Sequence, residues 1–291
     1  MPSQLTSIII VNYNTRDLTE NLLKSIYEYC AKDTFEIILV DNASSDGSAW
    51  HFRAHFPEAK YIINDINHGF ARAVNQGAEI AGGEYLWLLN SDCELTADIL
   101  PILIEALNRY EDAGIVTPRT VDKNGQFHAN CRKFPTYTNL LFSRGSLLDR
   151  LPFMRRQSAN YTMPDYDTVT KVDSAAGTAI LLRKSDFMAV GGFDERFFMY
   201  MEDVDMCLRL SQKGKFCYFV PQAVISHLFR GSSTNDPVPR IVYHHRSMLE
   251  YFLKWKSLNI PGNILLFVML TVNMCLQIIV AYAELHRNKP E

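Results

Sequence analysis

An α/β fold, with a mostly parallel central sheet flanked by helices and further helices at the C-terminal end, is predicted by three features of this chain. Short β-branched runs alternate with helix-length amphipathic segments. Each apolar run of five to seven residues is bounded by turn chemistry, as strands buried on both faces are. At 291 residues and 47% hydrophobic, the chain can bury a large core.

The elements follow in order. "TSIIIVNYN" from Thr6, "FEIILVDNAS" from Phe35, "AKYIIN" from Ala59 and "EYLWLLNSD" from Glu84 read as strands. "DLTENLLKSIYEYC", "DGSAWHFRAHF" and "GFARAVNQGAEIA" between them read as crossover helices. A βαβαβαβ succession implies parallel pairing. Residues 116 to 170 carry Pro118, Pro135, Pro152 and Pro164 with poor periodicity, so an irregular insertion is expected there, with a basic piece at Arg144, Arg150, Arg155 and Arg156. Regularity returns with "AAGTAILLR" as a strand, "KSDFMAVGGF" as a short helix and turn, "EDVDMCLRLSQKG" as a helix, then "KFCYFVP" and "AVISHLF" as two strands.

Composition excludes several classes. Lys plus Arg number 29 against 32 Asp plus Glu, a net charge of −3, so no global field draws the chain to nucleic acid. The six cysteines form no CxxC pair, and no apolar signal precedes the first strand, which points to free thiols in a reducing cytosol. His51 and His55 have metal-compatible i, i+4 spacing but no carboxylate or cysteine beside them in sequence, and read as a surface face. His128 and Cys131 carry no metal expectation either.

In open α/β sheets ligands bind beyond the carboxyl ends of the strands, where this chain places Asn12 and Asn14, Asp41 and Asn42, Asn64 and Asn67, and Asn90 and Asp92. Four polar ends in succession suggest one shared site. Asp92 and Glu94 in "YLWLLNSDCEL" suit a hard divalent cation that bridges phosphate oxygens, or else Asp92 caps a helix starting near Thr96. Asp41 can accept hydrogen bonds from a base or ribose, but no GxGxxG follows the first strand, so a dinucleotide is not expected.

"IIIVNYNTRDL", "IILVDNASSDGS", "NHGFARAVNQG", "YLWLLNSDCEL" and "GGFDERFFMYMEDVDMCLRL", in that order, resemble the inverting nucleotide-sugar glycosyltransferases of family 2, whose GT-A fold has a Rossmann-like sheet. The resemblance covers roughly residues 5 to 255, and "YHHRSMLEYFLKWK" is similar to a segment of the bacterial rhamnosyltransferase-type members. It implies a nucleotide-sugar-binding half (1–115), an acceptor-binding and catalytic half (116–240) and a C-terminal helical segment (241–291). It implies that Asp41 recognises the base and that Asn12, Asn14, Asn42, Arg72, Asn75, Asn90 and Asp92 line the nucleotide-sugar pocket. It further implies that Asp92 and His227 hold Mn²⁺ or Mg²⁺, although Asn90 stands where a full DxD motif has its first acid.

Asp203 matches the catalytic base, with Glu202 beside it to position the acceptor. The start of a helix favours an ionised carboxylate there, and Asp205 is expected to pair with Arg209 one turn on. Gly177, Phe193 and Asp194 are the acceptor-side expectations, with Phe193 or Phe198 as an apolar wall for a deoxysugar methyl. The implied donor is dTDP-L-rhamnose, with UDP-sugars as the alternative, and the implied acceptor is a saccharide or lipid-linked saccharide. A nucleotidyltransferase would want a Gly-rich phosphate loop that "NYNTRDL" lacks, and a non-catalytic sugar-nucleotide-binding protein would not need both Asp92 and Asp203. Residues 264 to 283 lack formal charge for twenty residues, about 30 Å of helix, with basic flanks; membrane association at the cytoplasmic face of the inner membrane is expected, by spanning or by lying flat.

Overall fold

The computed structural model of the chain describes residues 5–137, 166–228, 237–257 and 259–287. Strands β1 (Thr6–Asn12), β2 (Phe35–Asp41), β3 (Lys60–Ile63) and β4 (Tyr85–Asn90) pair in parallel in the order β3-β2-β1-β4. Helices α1 (Arg16–Tyr29), α2 (Ser48–His55) and α3 (Phe70–Ile80) make the crossovers. Ile8 and Ile10 point to one face, packing with Leu22, Leu23 and Ile26 of α1 and with Leu103 and Leu107 of α4 (Leu100–Arg109). Ile9 points to the other, against Ala73, Val74 and Ala78 of α3. The side-chain period of two therefore feeds two cores, which is why these strands read as unbroken apolar runs.

The second half extends the same sheet. β11 (Ala179–Arg183) lies antiparallel between β4 and β6 (Ala113–Val121), and β12 (Phe216–His227) runs parallel to β6 and antiparallel to β5 (Cys93–Leu95). Short strands β7 (Phe127–His128) and β9 (Thr170–Val172) pair with β6 and β12, and β8 (Cys131–Arg132) and β10 (Ser174–Ala175) form a separate two-stranded antiparallel sheet. Helices α5 (Lys184–Ala189) and α6 (Glu202–Ser211) follow, then α7 (Pro237–Trp255) and α8 (Ile260–Arg287).

Three sequence expectations are corrected. The expected irregular stretch begins with a central strand: β6 runs to Val121 and accommodates Pro118, while the basic piece at 144–156 lies outside the described residues. "KFCYFVP" and "AVISHLF" are one strand, β12, whose register shifts between Val220 and Val224 because Pro221 cannot donate to the ladder. No helix starts at Thr96; Cys93–Leu95 pairs with β12 and α4 begins at Leu100, so Asp92 is a turn residue rather than a helix cap. The six cysteines are all free, as expected. His51 does have a carboxylate partner, Glu20 of α1 at 2.9 Å, with the His55 ring stacked on it. That acid is 31 residues away in sequence, and the three groups form an inter-helix contact.

The turn into β4 packs on the start of β1. A Cβ on Gly83 would sit 2.6 Å from Ser7 N and 2.7 Å from Leu5 O, both backbone atoms that cannot move aside. Gly83→Ala is expected to destabilise the fold by about 1–3 kcal/mol in chemical denaturation. Gly82→Ala, which meets only the flexible end of Glu36, should cost less; equal costs would remove the steric explanation.

Candidate functional site

The carboxyl ends of β1, β2 and β4 converge on a network of short polar side chains. Asn12 Nδ2 donates to Asp41 Oδ2 at 2.8 Å and to Ser44 Oγ at 2.9 Å. The hydroxyls of Thr15 and Thr19 donate back to Asn12 Oδ1, and Thr15 Oγ1 lies 3.1 Å from Ser91 Oγ, beside Asp92. Ser44 N donates to Asp41 Oδ1, closing the loop after β2 over the carboxylate. Asn12 is fully buried with every polar atom engaged, and it holds Asp41 from beneath.

Asn42 is likewise spent. It donates to Asn67 Oδ1 and Gly69 O, and accepts from Asn64 Nδ2 and His68 N, tying the β3–α3 loop to the sheet. Asn75 clamps the backbone of Phe193, donating to its carbonyl and accepting from its N–H, and Phe193 is buried against Phe187 and Phe70. Asn42 and Asn75 thus brace loops, and Phe193 packs in the core. Asp194 is engaged by Arg196 at 2.6 Å and Lys254 at 2.7 Å; burial alone would raise its carboxyl, but those hydrogen bonds outweigh it and hold it well below the usual range. It ties α7 down and is not a free acceptor ligand.

The groups left facing the open edge are Asn14, Arg72 and Asn90. Asn14 is exposed in a left-handed conformation, φ 55°, with its Oδ1 accepting from Ser45 N. Arg72 is exposed on α3, and Asn90 is half-buried at the end of β4. Asp41 is 1% exposed under the Ser44 loop, so a base reaches its carboxylate only where that loop yields.

Asp92 and His227 meet although 135 residues separate them. β12 runs to His227 alongside β5, and His227 Nε2 lies 3.0 Å from Asp92 Oδ1, with both residues buried. Asp203 stands in the first turn of α6. Its Oδ2 accepts the Gly177 N–H at 2.8 Å, and the Thr178 carbonyl accepts the Asn90 N–H at 2.9 Å. One peptide segment thus joins the Asp92 turn to the Asp203 carboxylate. A Cβ on Gly177 would make ordinary contact with Asp203 at 3.6 Å, so the protein itself does not demand glycine there.

Glu202 behaves differently from its neighbour. It is 5% exposed with Oε2 unpartnered, and burial, reinforced by the adjacent Asp203 charge, pushes its carboxyl well above the usual range. A carboxyl raised in this way is a poorer proton acceptor than Asp203 only where it stays protonated, and Glu202 remains the neighbour of that carboxylate on the same helical turn. The residues before it are strained: Tyr200 and Met201 have φ of 72° and 69°. With Asn14 and Ala43, four of the five non-glycine left-handed residues among the described residues stand at this edge, as strain tends to at working sites. Ser44, Thr15, Thr19 and Ser91 were missed by sequence reasoning; hydroxyl residues clustered just beyond strand ends were the available signal.

A sheet of this order, with an acid and an imidazole at one strand edge and a half-buried carboxylate one peptide away, is the arrangement of a glycosyltransferase of the GT-A fold. The chain belongs to glycosyl transferase family 2, whose model matches residues 7–187. An N-acetylglucosaminyl-diphospho-decaprenol L-rhamnosyltransferase of Mycobacterium tuberculosis (strain ATCC 25618 / H37Rv) is 29% identical over 255 residues, 82% of this chain and 81% of that one. The rhamnosyltransferase WbbL of Escherichia coli (strain K12) is 28% identical, over 87% of this chain and 94% of its own. Among solved structures, a mannosyltransferase from Pyrobaculum calidifontis in complex with GDP-Man and Mn²⁺ superposes with a TM-score of 0.58 at 17% identity, over 97% of this chain and 78% of that one. GalNAc-T7 with UDP, GalNAc and Mn²⁺ also reaches 0.58 at 17%, and the present chain spans 43% of its length.

The Glu202 environment has a pH signature. A carboxyl raised in the folded state stabilises the fold below its unfolded value near 4.3, and that contribution is lost as pH rises through the folded value. Stability of the native chain is expected to fall with rising pH across that window, and Glu202→Gln to flatten this part of the profile. Denaturant titrations at several pH values check it; an unchanged slope would show Glu202 ionised in the fold.

Proposed function

We propose that the chain is an inverting rhamnosyltransferase that moves L-rhamnose from dTDP-L-rhamnose to a lipid-linked saccharide in cell-surface polysaccharide synthesis, at the cytoplasmic face of a membrane. The donor and acceptor are supported by the two relatives above, which are a rhamnosyltransferase and a diphospho-decaprenol L-rhamnosyltransferase by name. The observation that carries the reading is the single peptide link between the Asp92 turn and Asp203, which supports a leaving-group site and a base close to one another.

Inversion is a direct displacement at the anomeric carbon, so a base must stand behind the acceptor hydroxyl, opposite the departing diphosphate. Asp203 takes that part. Its Oδ2 is oriented by the Gly177 N–H, and its other oxygen accepts Val204 N–H at 2.8 Å, so the carboxylate is fixed before the acceptor arrives. The acceptor proton passes to Asp203 as the oxygen attacks. Glu202 beside it has its carboxyl pushed up by burial and by the Asp203 charge, which favours the protonated, hydrogen-bond-donating form.

Asp92 and His227 fit a hard divalent cation such as Mn²⁺ or Mg²⁺. Their donor atoms already converge to 3.0 Å, and no group of three or more His, Cys, Asp or Glu able to hold a metal occurs among the described residues, so remaining positions fall to donor oxygens and water. When bound, the cation would neutralise charge on the leaving diphosphate. His227 must then give up its hydrogen bond to Asp92. In this scheme residues 1–115 hold the nucleotide, 116–240 the acceptor and base, and 241–291 the membrane contact. Phe198, stacked on Tyr243 with ring centres 4.4 Å apart, offers the apolar surface that Phe193 does not.

Two measurements test this. Asp203→Asn should keep fold and nucleotide affinity while transfer falls by about 10²- to 10⁴-fold; near-normal turnover in the folded variant would move the base elsewhere. Calorimetric titration of dTDP-rhamnose, UDP-galactose, UDP-N-acetylglucosamine and GDP-mannose, each with Mn²⁺ and with chelator, should give tight binding for dTDP-rhamnose with Mn²⁺ alone. Preference for a UDP- or GDP-sugar sinks the rhamnosyl assignment, and equal affinity in chelator removes the metal.

A further inference from the structure

The polarity of α8 is inverted relative to a helix on a water-facing surface. Its docked side carries Asn263, Leu266, Leu270, Asn273, Gln277 and Ala281, a three-four spacing that includes every amide of residues 260–281. Tyr137 Oη donates to Asn263 Oδ1 at 2.7 Å, and Asn273 Nδ2 donates to His245 Nε2 at 3.1 Å, which leaves His245 Nδ1–H for the Ile241 carbonyl. The outer side is apolar: Ile264, Leu265, Phe267, Val268, Val272, Leu276, Ile279 and Val280 are between 36% and 63% exposed. At about 100° per residue these positions and Cys275 cover an arc of about 220°. A partner helix or flat protein surface covers a stripe of about 100°, so one macromolecular partner would leave much of this arc in water. A fluid hydrocarbon layer covers all of it.

The way α8 is held fixes how it meets that layer. It lies along α7, and α7 is fastened to the catalytic domain by Ser247 Oγ to the Met199 carbonyl, by Lys254 to Asp194 and Asp205, and by Trp255 Nε1 to Asp205 Oδ1 at 2.8 Å. Were α8 to cross the bilayer with these contacts intact, α7 would carry Arg240, Arg246, Glu250 and Lys254 into hydrocarbon with it, where ionised side chains are strongly disfavoured. Lying flat needs no such entry, and Lys256, exposed at the turn into α8, stays among anionic headgroups.

We infer that α8 is an in-plane membrane anchor: its outer arc sinks into the interface of an anionic bilayer while its amide-bearing side stays docked on α7, holding the catalytic cleft at the lipid surface. This rests on the membrane-side part of the function proposed above. The same arrangement links the Asp203 helix to the anchor by way of α7, whose Lys254 and Trp255 meet Asp205.

Cys275 lies on the outer arc and is exposed, whereas the other five cysteines are buried, so a nitroxide can be placed there selectively. Ile264→Cys, Val268→Cys and Ile279→Cys, each with Cys275→Ser, extend the set along one line of the helix. The full chain is bound to phosphatidylethanolamine–phosphatidylglycerol vesicles, and depth is read from oxygen against nickel-chelate accessibility by electron paramagnetic resonance. One common depth of about 5–10 Å at all four positions is expected. A profile deepest near 275 and shallower towards 264, following the rise of about 1.5 Å per residue, would show a spanning helix and overturn the in-plane anchor. No immersion at any position would overturn the membrane contact itself. Val268→Glu should lower vesicle flotation about tenfold while transfer to a water-soluble acceptor analogue is unchanged, and loss of that transfer in the unmodified chain would instead count against the proposed function.

Discussion

The central strands of this protein have no face open to water, and most of the remaining organisation follows from that constraint. Ile8 and Ile10 are buried by α1 and α4, and Ile9 by α3, so polar groups in β1, β2 and β4 can reach a ligand only at the strand ends. There they cannot stand isolated, because half-buried amides and carboxylates without partners are costly. Asn12, Asp41, Ser44, Thr15, Thr19 and Ser91 answer this by bonding to one another. The site is therefore rigid at its base, and its adaptable parts are the strained loops at Asn14, Ala43 and Tyr200–Met201.

Asp205 is the point at which catalysis, core and C-terminal helices meet. Its carboxylate is fully buried and is met by Arg209 at 2.7 Å, Lys254 at 2.6 Å and the Trp255 indole. A buried carboxylate with that many donors is held in one orientation, and removing a single partner would leave a charge uncompensated. Because Asp205 follows Asp203 by two residues in the same helical turn, the position of the proposed base depends on α7 remaining docked. The Asn273–His245 bond carries that dependence one helix further, to α8. Burial, partly offset by the bond to Ile241, holds the His245 imidazole below its ordinary value and therefore neutral, as an acceptor from Asn273 must be.

Much of the fold was legible in the residues. The apolar runs of β1, β2 and β4 and the helices between them are local patterns, and the Asp205–Arg209 pair follows from helical spacing alone. β6 was hidden because Pro118 and Arg119 interrupt its pattern, and β12 read as two strands because Pro221 breaks the ladder without ending the strand. The strand-end amides were found as polar groups, but the buried Asn12 and Asn42 and the half-buried Asn75 could not be told from exposed ones such as Asn14, since exposure is a property of what packs over a side chain.

The sequence by itself determined the alternation of strand and helix, the edge of the sheet where polar chemistry collects, and the charge-free length of α8, because each is set by neighbours within a few residues. Only the tertiary structure decided that His227 meets Asp92, that the Gly177 N–H bonds to Asp203, that Glu202 is buried with its carboxyl pushed up while Asp203 is not sealed away, and that the amides of α8 face inward. Those outcomes depend on contacts between segments tens of residues apart, on the Cα register of β12 against β5, and on burial, none of which a local pattern encodes.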